Sequence, residues 1–343
     1  MTTKHIGSLI GGFLLCCAAG KVGNLFPTPA HFPEPIYSFE NNEYTVEKVE
    51  LGRMLFFDPI LSKDQTISCA SCHSPYNGFA HTDHELSHGI NDQIGTRNAP
   101  ALFNLAWKKS FMWDGAVNHL DVQALAPLTH EKEMGETLPR VLEKLQHTAH
   151  YPALFKETFG DENITGEYFL KAMAAFQLSL VSSNSTYDQV ARGEMQFTEQ
   201  EAQGLKLFEA NCATCHVPPL FTSNDFETNG LPLDTTLNDF GRMKVTKRSN
   251  DSLSFTVPSL RNLSFTKPYM HDGRFETLTE VVNHYVASPK EIQTIENNFA
   301  QPIELTANEQ VDLISFLRTL NDKEFVFNPL HQFPKKLLSF PKE

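Results

Sequence analysis

The chain has 343 residues, room for two domains of ordinary size, and a globular composition: 41% apolar, 20% charged, with no low-complexity run. A formal net charge of −13 argues against nucleic acid as a partner, because phosphate binding wants a basic face. The acidic surface either steers a small basic electron carrier or only keeps the protein soluble.

At the N-terminus, Lys4 and His5 precede an apolar stretch from Ile6 to Leu15, followed by the small residues of Cys17-Ala18-Ala19-Gly20. Residues 1–20 therefore read as an export signal, too short to span a bilayer comfortably. Cleavage near Ala19 releases a soluble periplasmic protein, whereas lipidation of Cys16 or Cys17 anchors it. Leu14-Leu15 is a poor lead-in for a lipid-modified cysteine, since a small residue is expected there. No later segment is apolar enough to cross a membrane.

Val49 to Phe56 carries apolar residues at helical spacing just ahead of Cys69-Ala70-Ser71-Cys72-His73. Glu201 to Phe208 does the same ahead of Cys212-Ala213-Thr214-Cys215-His216. Two thiols three positions apart on one helical turn reach the two vinyl groups of one haem, and the adjacent histidine lies beneath the iron. The alternatives are a thioredoxin-like pair or a zinc knuckle. Zinc needs Cys/His ligands at other spacings, and a thioredoxin motif needs no histidine in both copies. The motifs predict two covalently attached c-type haems, each covered by a helix. Of the six cysteines, Cys16 and Cys17 fall in the leader and the other four in the motifs, so none remains for a disulfide.

A second echo runs through the chain. Pro100-Ala101-Leu102-Phe103-Asn104-Leu105 resembles Pro258-Ser259-Leu260-Arg261-Asn262-Leu263, at an offset of 158 residues. The offset holds without a gap: Lys109 pairs with Lys267, Met112 with Met270, Asp114-Gly115 with Asp272-Gly273, and Leu120 with Leu278. The protein is therefore read as a duplicated cytochrome unit. Its junction is expected in the polar stretch Ser182 to Thr198. The halves differ at two informative positions, where Trp113 stands opposite His271 and Pro127 opposite Tyr285. Proline has no side-chain donor atom, whereas a tyrosine oxygen can bind iron. The first haem would keep an open site for substrate while the second only moves electrons.

These residues resemble the bacterial dihaem cytochrome c peroxidase/MauG family. The resemblance rests on both haem motifs, Gly95-Thr96-Arg97-Asn98-Ala99-Pro100, Phe111-Met112-Trp113-Asp114-Gly115, Glu133-Met134, Val257 to Asn262, and Pro268-Tyr269-Met270-His271-Asp272-Gly273. It implies that the first haem reacts with peroxide and the second receives electrons. Glu133 then matches the distal acid/base, with Gln123 and Pro127 lining the same pocket; without the resemblance it would read as a solvated charge. Trp113 matches the tryptophan that relays electrons between the haems, a role compatible with a buried core aromatic. Asn98, Thr266 and Pro268 match the positions that bind a calcium ion between the domains.

Two departures from the peroxidase pattern stand out. Well-studied dihaem peroxidases place methionine at the distal position of the second haem, where this chain has Tyr285, as MauG-type members do. Tyrosinate favours ferric iron and lowers the potential relative to methionine. Met270, Met243 and His284 are the rival sixth ligands. Many of the peroxidases also carry a histidine that blocks the first iron until the other haem is reduced. His88 lies in the corresponding loop, but its spacing to the following Gly-x-Arg-Asn turn is two residues longer. It is either that gate or a surface residue, and His81 and His84 read as loop residues.

The expected fold is mainly α-helical, with two cytochrome c-like domains, each binding one c-type haem. The first spans about residues 26–185 and the second 186–321, with the tail 325–343 folding back on the first. The leading function is reduction of hydrogen peroxide to water with electrons from a small periplasmic donor such as a cytochrome c or cupredoxin. The runner-up is a MauG-like oxidase that modifies side chains of a partner protein, and a non-catalytic electron-transfer cytochrome is third. Related peroxidases are commonly dimers, so a homodimer is a further expectation.

Overall fold

A computed structural model describes residues 26–287 and 303–340. The leader reading, with Cys16 and Cys17, lies outside them, as do the last three residues of the tail. None of the helices among the described residues is long and apolar enough to cross a membrane.

The chain is mainly helical, as expected. In order come α1 (Val46–Phe57), α2 (Cys69–Cys72), α3 (Leu120–Gln123), α4 (Leu125–Thr129), α5 (Leu138–His147), α6 (Tyr151–Phe159) and α7 (Gly166–Ser179). The second half continues with α8 (Thr186–Ala191), α9 (Glu199–Asn211), α10 (Met243–Thr246), α11 (Leu278–Ala287), α12 (Ala307–Arg318) and α13 (Lys323–Val326). Among the described residues sheet is limited to β1 (Phe226–Glu227) antiparallel to β2 (Phe255–Thr256). Several helix starts are legible locally. Thr198 with Glu201, and Thr306 with Glu309, form reciprocal capping boxes that satisfy the first free N–H groups of α9 and α12. Thr45 and Thr165 cap α1 and α7 through their hydroxyls.

The duplication recurs in the packing. In the first half α1 crosses α7 at Gly52, where a Cβ would sit 2.0 Å from the carbonyl oxygen of Ala172. In the second, α9 crosses α12 at Gly204, where a Cβ would sit 2.0 Å from that of Asp312. One turn on, Phe56 meets Phe176 with ring centroids 5.1 Å apart, and Phe208 meets Phe316 at the same 5.1 Å. Each pair then receives a third ring. Phe79 lies 5.8 Å from Phe56, and Phe221 lies 5.6 Å from Phe208. Both are fully buried, with left-handed backbone at φ +60° and +55°. Two apolar clusters form around these triads, one holding most of the buried apolar side chains between Phe26 and Leu180 together with Leu220, Phe325 and Val326, the other holding residues from Phe208 to Leu320.

The polar stretch expected to hold the junction is folded in over its first part and exposed over residues 191–196. Ser182, Ser185 and Asp188 are buried, and α8 begins within the stretch. The polarity of the first part is satisfied internally. Asp322 accepts hydrogen bonds from the Ser182 hydroxyl and the Ser183 and Asn184 amides. Asp188 receives both terminal nitrogens of Arg261 at 2.8 and 2.7 Å. After α13 the chain runs over the first cluster: Phe333 packs on Phe57 at 5.8 Å, Phe340 stacks on His150 at 4.0 Å, and the Leu330 carbonyl accepts from Arg53.

Candidate active site

A single cavity of about 710 Å³ runs between the halves and is lined by both Cys-x-x-Cys-His motifs. At the first, the Nδ1–H of His73 is held by the Phe79 carbonyl at 2.8 Å. At the second, His216 Nδ1 shares its proton between the carbonyls of Phe221 at 3.2 Å and Pro258 at 3.1 Å. A carbonyl can only accept, so each ring is fixed as the tautomer with a bare Nε2, the form that ligates iron. The buried phenylalanine triads thus have a second consequence, because Phe79 and Phe221 orient the histidines through their backbones. Burial holds both imidazole pKa values down at about 4, so the rings are neutral. Burial likewise pushes Cys69 and Cys212 up to about 12, which keeps them as thiols. Two thiols and a neutral imidazole at each end of one large cavity fit the donor requirement of two covalent haems.

Near the first motif, α3 and α4 bring Gln123 and Pro127 to the cavity wall, and the loop after α4 brings Glu133. The Glu133 side chain keeps 39% exposure, yet burial among its neighbours raises its pKa, and the nearby His130 pulls it down. His130 Nδ1 lies 3.7 Å from the carboxylate and also lines the cavity. Gly89 makes this region tight, since a Cβ there would sit 2.0 Å from the Lys132 carbonyl oxygen. His88, beside it, does not line the cavity. Its Nδ1 pairs with Asp92 at 2.6 Å and its ring lies 4.7 Å from that of His84.

Trp113 is buried on the cavity wall, where its indole N–H donates to the Asn98 carbonyl at 2.8 Å. Asn98 N–H donates in turn to the carbonyl of His271, the counterpart of Trp113 in the repeat, at 2.8 Å. Arg97 pins the same turn across the halves, reaching Asp114 at 2.8 Å and Asp239 at 2.5 Å. Asn98, Thr266 and Pro268 all line the cavity. The Asn98 amide nitrogen is committed to the Glu85 carbonyl at 3.0 Å, leaving its side-chain oxygen as the donor available to a cation. Among the described residues there is no cluster of three or more His, Cys, Asp or Glu able to hold a metal, so a calcium ion here would rest on neutral oxygens and water.

At the second motif α11 presents Tyr285 to the cavity. Burial pushes its phenol up to about 12, with Cys212 and Cys215 adding to the rise and hydrogen bonding to Asn229 opposing it. Of the rival ligands, His284 and Met270 line the cavity and Met243, at the start of α10, does not. The His284 Nε2–H is committed to the Asn229 carbonyl at 2.8 Å. The sequence pointed to Glu133, Gln123, Pro127, Trp113 and Tyr285, which all line this cavity. It missed His130, Asn229 and the two phenylalanine carbonyls. Only His130 left a local trace, three residues before Glu133.

The arrangement defines a haem peroxidase-type oxidoreductase, and comparison with known proteins gives the family. Residues 46–196 match the family model of the di-haem cytochrome c peroxidases, CCP_MauG. The methylamine utilization protein MauG of Methylorubrum extorquens is 36% identical over 86% of this chain and 83% of its own. The cytochrome c551 peroxidase of Nitrosomonas europaea is 36% identical over 69% of this chain and 72% of its own. Among solved structures, a MauG-like protein associated with microbial copper homeostasis superposes with a TM-score of 0.82 at 30% identity, covering 90% of this chain and 98% of that one. The chain belongs to the dihaem cytochrome c peroxidase/MauG family, whose members carry two haems c.

Proposed function

We propose that the protein is an exported peroxidase that reduces hydrogen peroxide to water at the first of two cytochrome c-like domains. The observation that carries this reading is the placement of Glu133, with its raised pKa, on the same cavity wall as Gln123 and Pro127, beside the first motif. When bound, haem supplies the iron at which the O–O bond is broken. Glu133 takes the proton from the near peroxide oxygen and returns it to the leaving one, and Pro127 offers no atom to compete with substrate. Reduction of one peroxide to two waters consumes two electrons and two protons. Electrons enter at the second domain from a small donor protein and pass by Trp113. Asn98, Thr266 and Pro268 hold a calcium ion between the domains. Steady-state turnover of peroxide with a reduced cytochrome c tests this. Activity in the wild type that collapses in Glu133→Gln supports the reading, and negligible wild-type turnover defeats it.

A second reading is favoured by Tyr285. A tyrosine on the cavity wall beside the second motif suits a MauG-like oxidase, in which a hard anionic ligand eases access to high oxidation states and the oxidised side chain belongs to a partner protein. Rapid-mixing spectroscopy separates the two. High-valent signals shared by both haems, without cytochrome turnover, favour the oxidase. In either case Tyr285→Phe abolishes the low-spin signature of the second haem.

A further inference from the structure

The two repeated Met-x-Asp-Gly turns hold their methionines in the same unusual backbone conformation, φ +68° at Met112 and +77° at Met270. Each sulfur meets a side-chain amide, but the two amides come from unrelated places. Gln123 Nε2 approaches Met112 Sδ only to 4.0 Å, whereas Asn229 Nδ2 lies 3.2 Å from Met270 Sδ. The orientation of the Asn229 carboxamide is settled by its neighbours. Its oxygen accepts the Leu231 amide N–H at 3.3 Å, so the NH₂ group is the end turned to Met270 on the cavity wall. Its backbone carbonyl accepts the His284 Nε2–H at 2.8 Å.

Two of the three cavity side chains able to serve as sixth ligand at the second motif are therefore held by one residue. We infer that Asn229 is the positioning residue that leaves Tyr285 as the ligand for the second haem, by occupying the Met270 sulfur and the His284 Nε2. The inference rests on Tyr285 ligation and deepens it. A thioether held in an N–H···S contact would offer its lone pair to the amide rather than to the iron of a bound haem, and a histidine whose Nε2–H is committed to a carbonyl has no bare nitrogen on that side to ligate it. Asn229 touches no substrate in this account. It acts through the ligand it selects.

The test uses the purified dihaem protein and reads ligation rather than activity. In Asn229→Leu the tyrosinate-to-iron charge-transfer band is expected to lose most of its intensity. A near-infrared sulfur-to-iron band should appear and the potential of the second haem should rise. Adding Met270→Leu to that variant should remove the sulfur band and return the tyrosinate band. Should Asn229→Leu fail to load haem, Asn229→Asp keeps the shape but loses the donor, and the same loss of the tyrosinate band is expected. Tyr285→Phe is measured alongside. If it changes the spectrum while both Asn229 variants leave the tyrosinate band and potential as in wild type, the inference is overturned and Tyr285 ligation stands. If Tyr285→Phe itself changes nothing, both are overturned.

Discussion

The indole N–H of Trp113 is spent on the backbone carbonyl of Asn98, 2.8 Å away, so this tryptophan side chain is held by a single directed bond in a buried cavity wall. Trp113→Phe keeps the aromatic volume and removes that bond. It should cost about 1 kcal/mol of stability, the usual net worth of one hydrogen bond, measured by denaturant unfolding. Electron transfer between the haems, followed by stopped-flow reduction, should slow by much more than the corresponding factor of about five in the folding equilibrium. Equal loss in both would make Trp113 a packing residue only.

Glu133 and His130 form a second pair with a readable pH signature. Burial raises the Glu133 pKa and the imidazole at 3.7 Å lowers it. Acid/base work of this kind is worth roughly 10²–10⁴-fold, so Glu133→Gln should reduce peroxide turnover by about that factor with haem content unchanged. His130→Ala removes the lowering influence, so the Glu133 pKa climbs. The acidic limb of the kcat/KM profile should then move to higher pH. A shift toward lower pH would contradict the pairing.

Asp188 and Arg261 are both fully buried. Burial alone would raise the Asp188 pKa, but the Arg261 hydrogen bonds and charge, helped by Ser185, outweigh it and hold the value at about 2. A carboxylate depressed below its ordinary 3.8 contributes stability that is fully present above that pH and is lost as pH falls through about 2. Asp188→Asn leaves the guanidinium buried without its counter-charge and should cost about 3–5 kcal/mol at neutral pH. Its unfolding free energy should also fall less steeply than that of wild type between pH 4 and 2. An unchanged neutral-pH stability would sink this account.

Gly52 and Gly204 mark equivalent crossings, where an added Cβ meets a carbonyl oxygen at 2.0 Å. Alanine at either position forces two helices apart and should cost about 1–3 kcal/mol or more. Because the two crossings belong to different apolar clusters, Gly52→Ala should disturb the environment of the first haem and Gly204→Ala that of the second, which circular dichroism in the haem bands can resolve. Identical effects of both would count against two separately packed halves.

What the sequence determined by itself is local or repeated. The Cys-x-x-Cys-His units carry their chemistry within five residues, the capping boxes at Thr198 and Thr306 within four, and the offset of 158 residues exposes Trp113 opposite His271 and Pro127 opposite Tyr285. What only the tertiary structure decided depends on contacts between distant segments. Asn229 reads in sequence as half of an Asn-Gly turn, and it gains meaning from Met270 and His284, 41 and 55 residues away. The bonds that orient His73 and His216 end on backbone carbonyls, which leave no mark in residue identity. The stretch from Ser182 is expected to hold the junction of the duplication because its side chains are polar. Its partners Asp322 and Arg261 lie far along the chain, and a buried polar group is stable only once such partners are folded onto it.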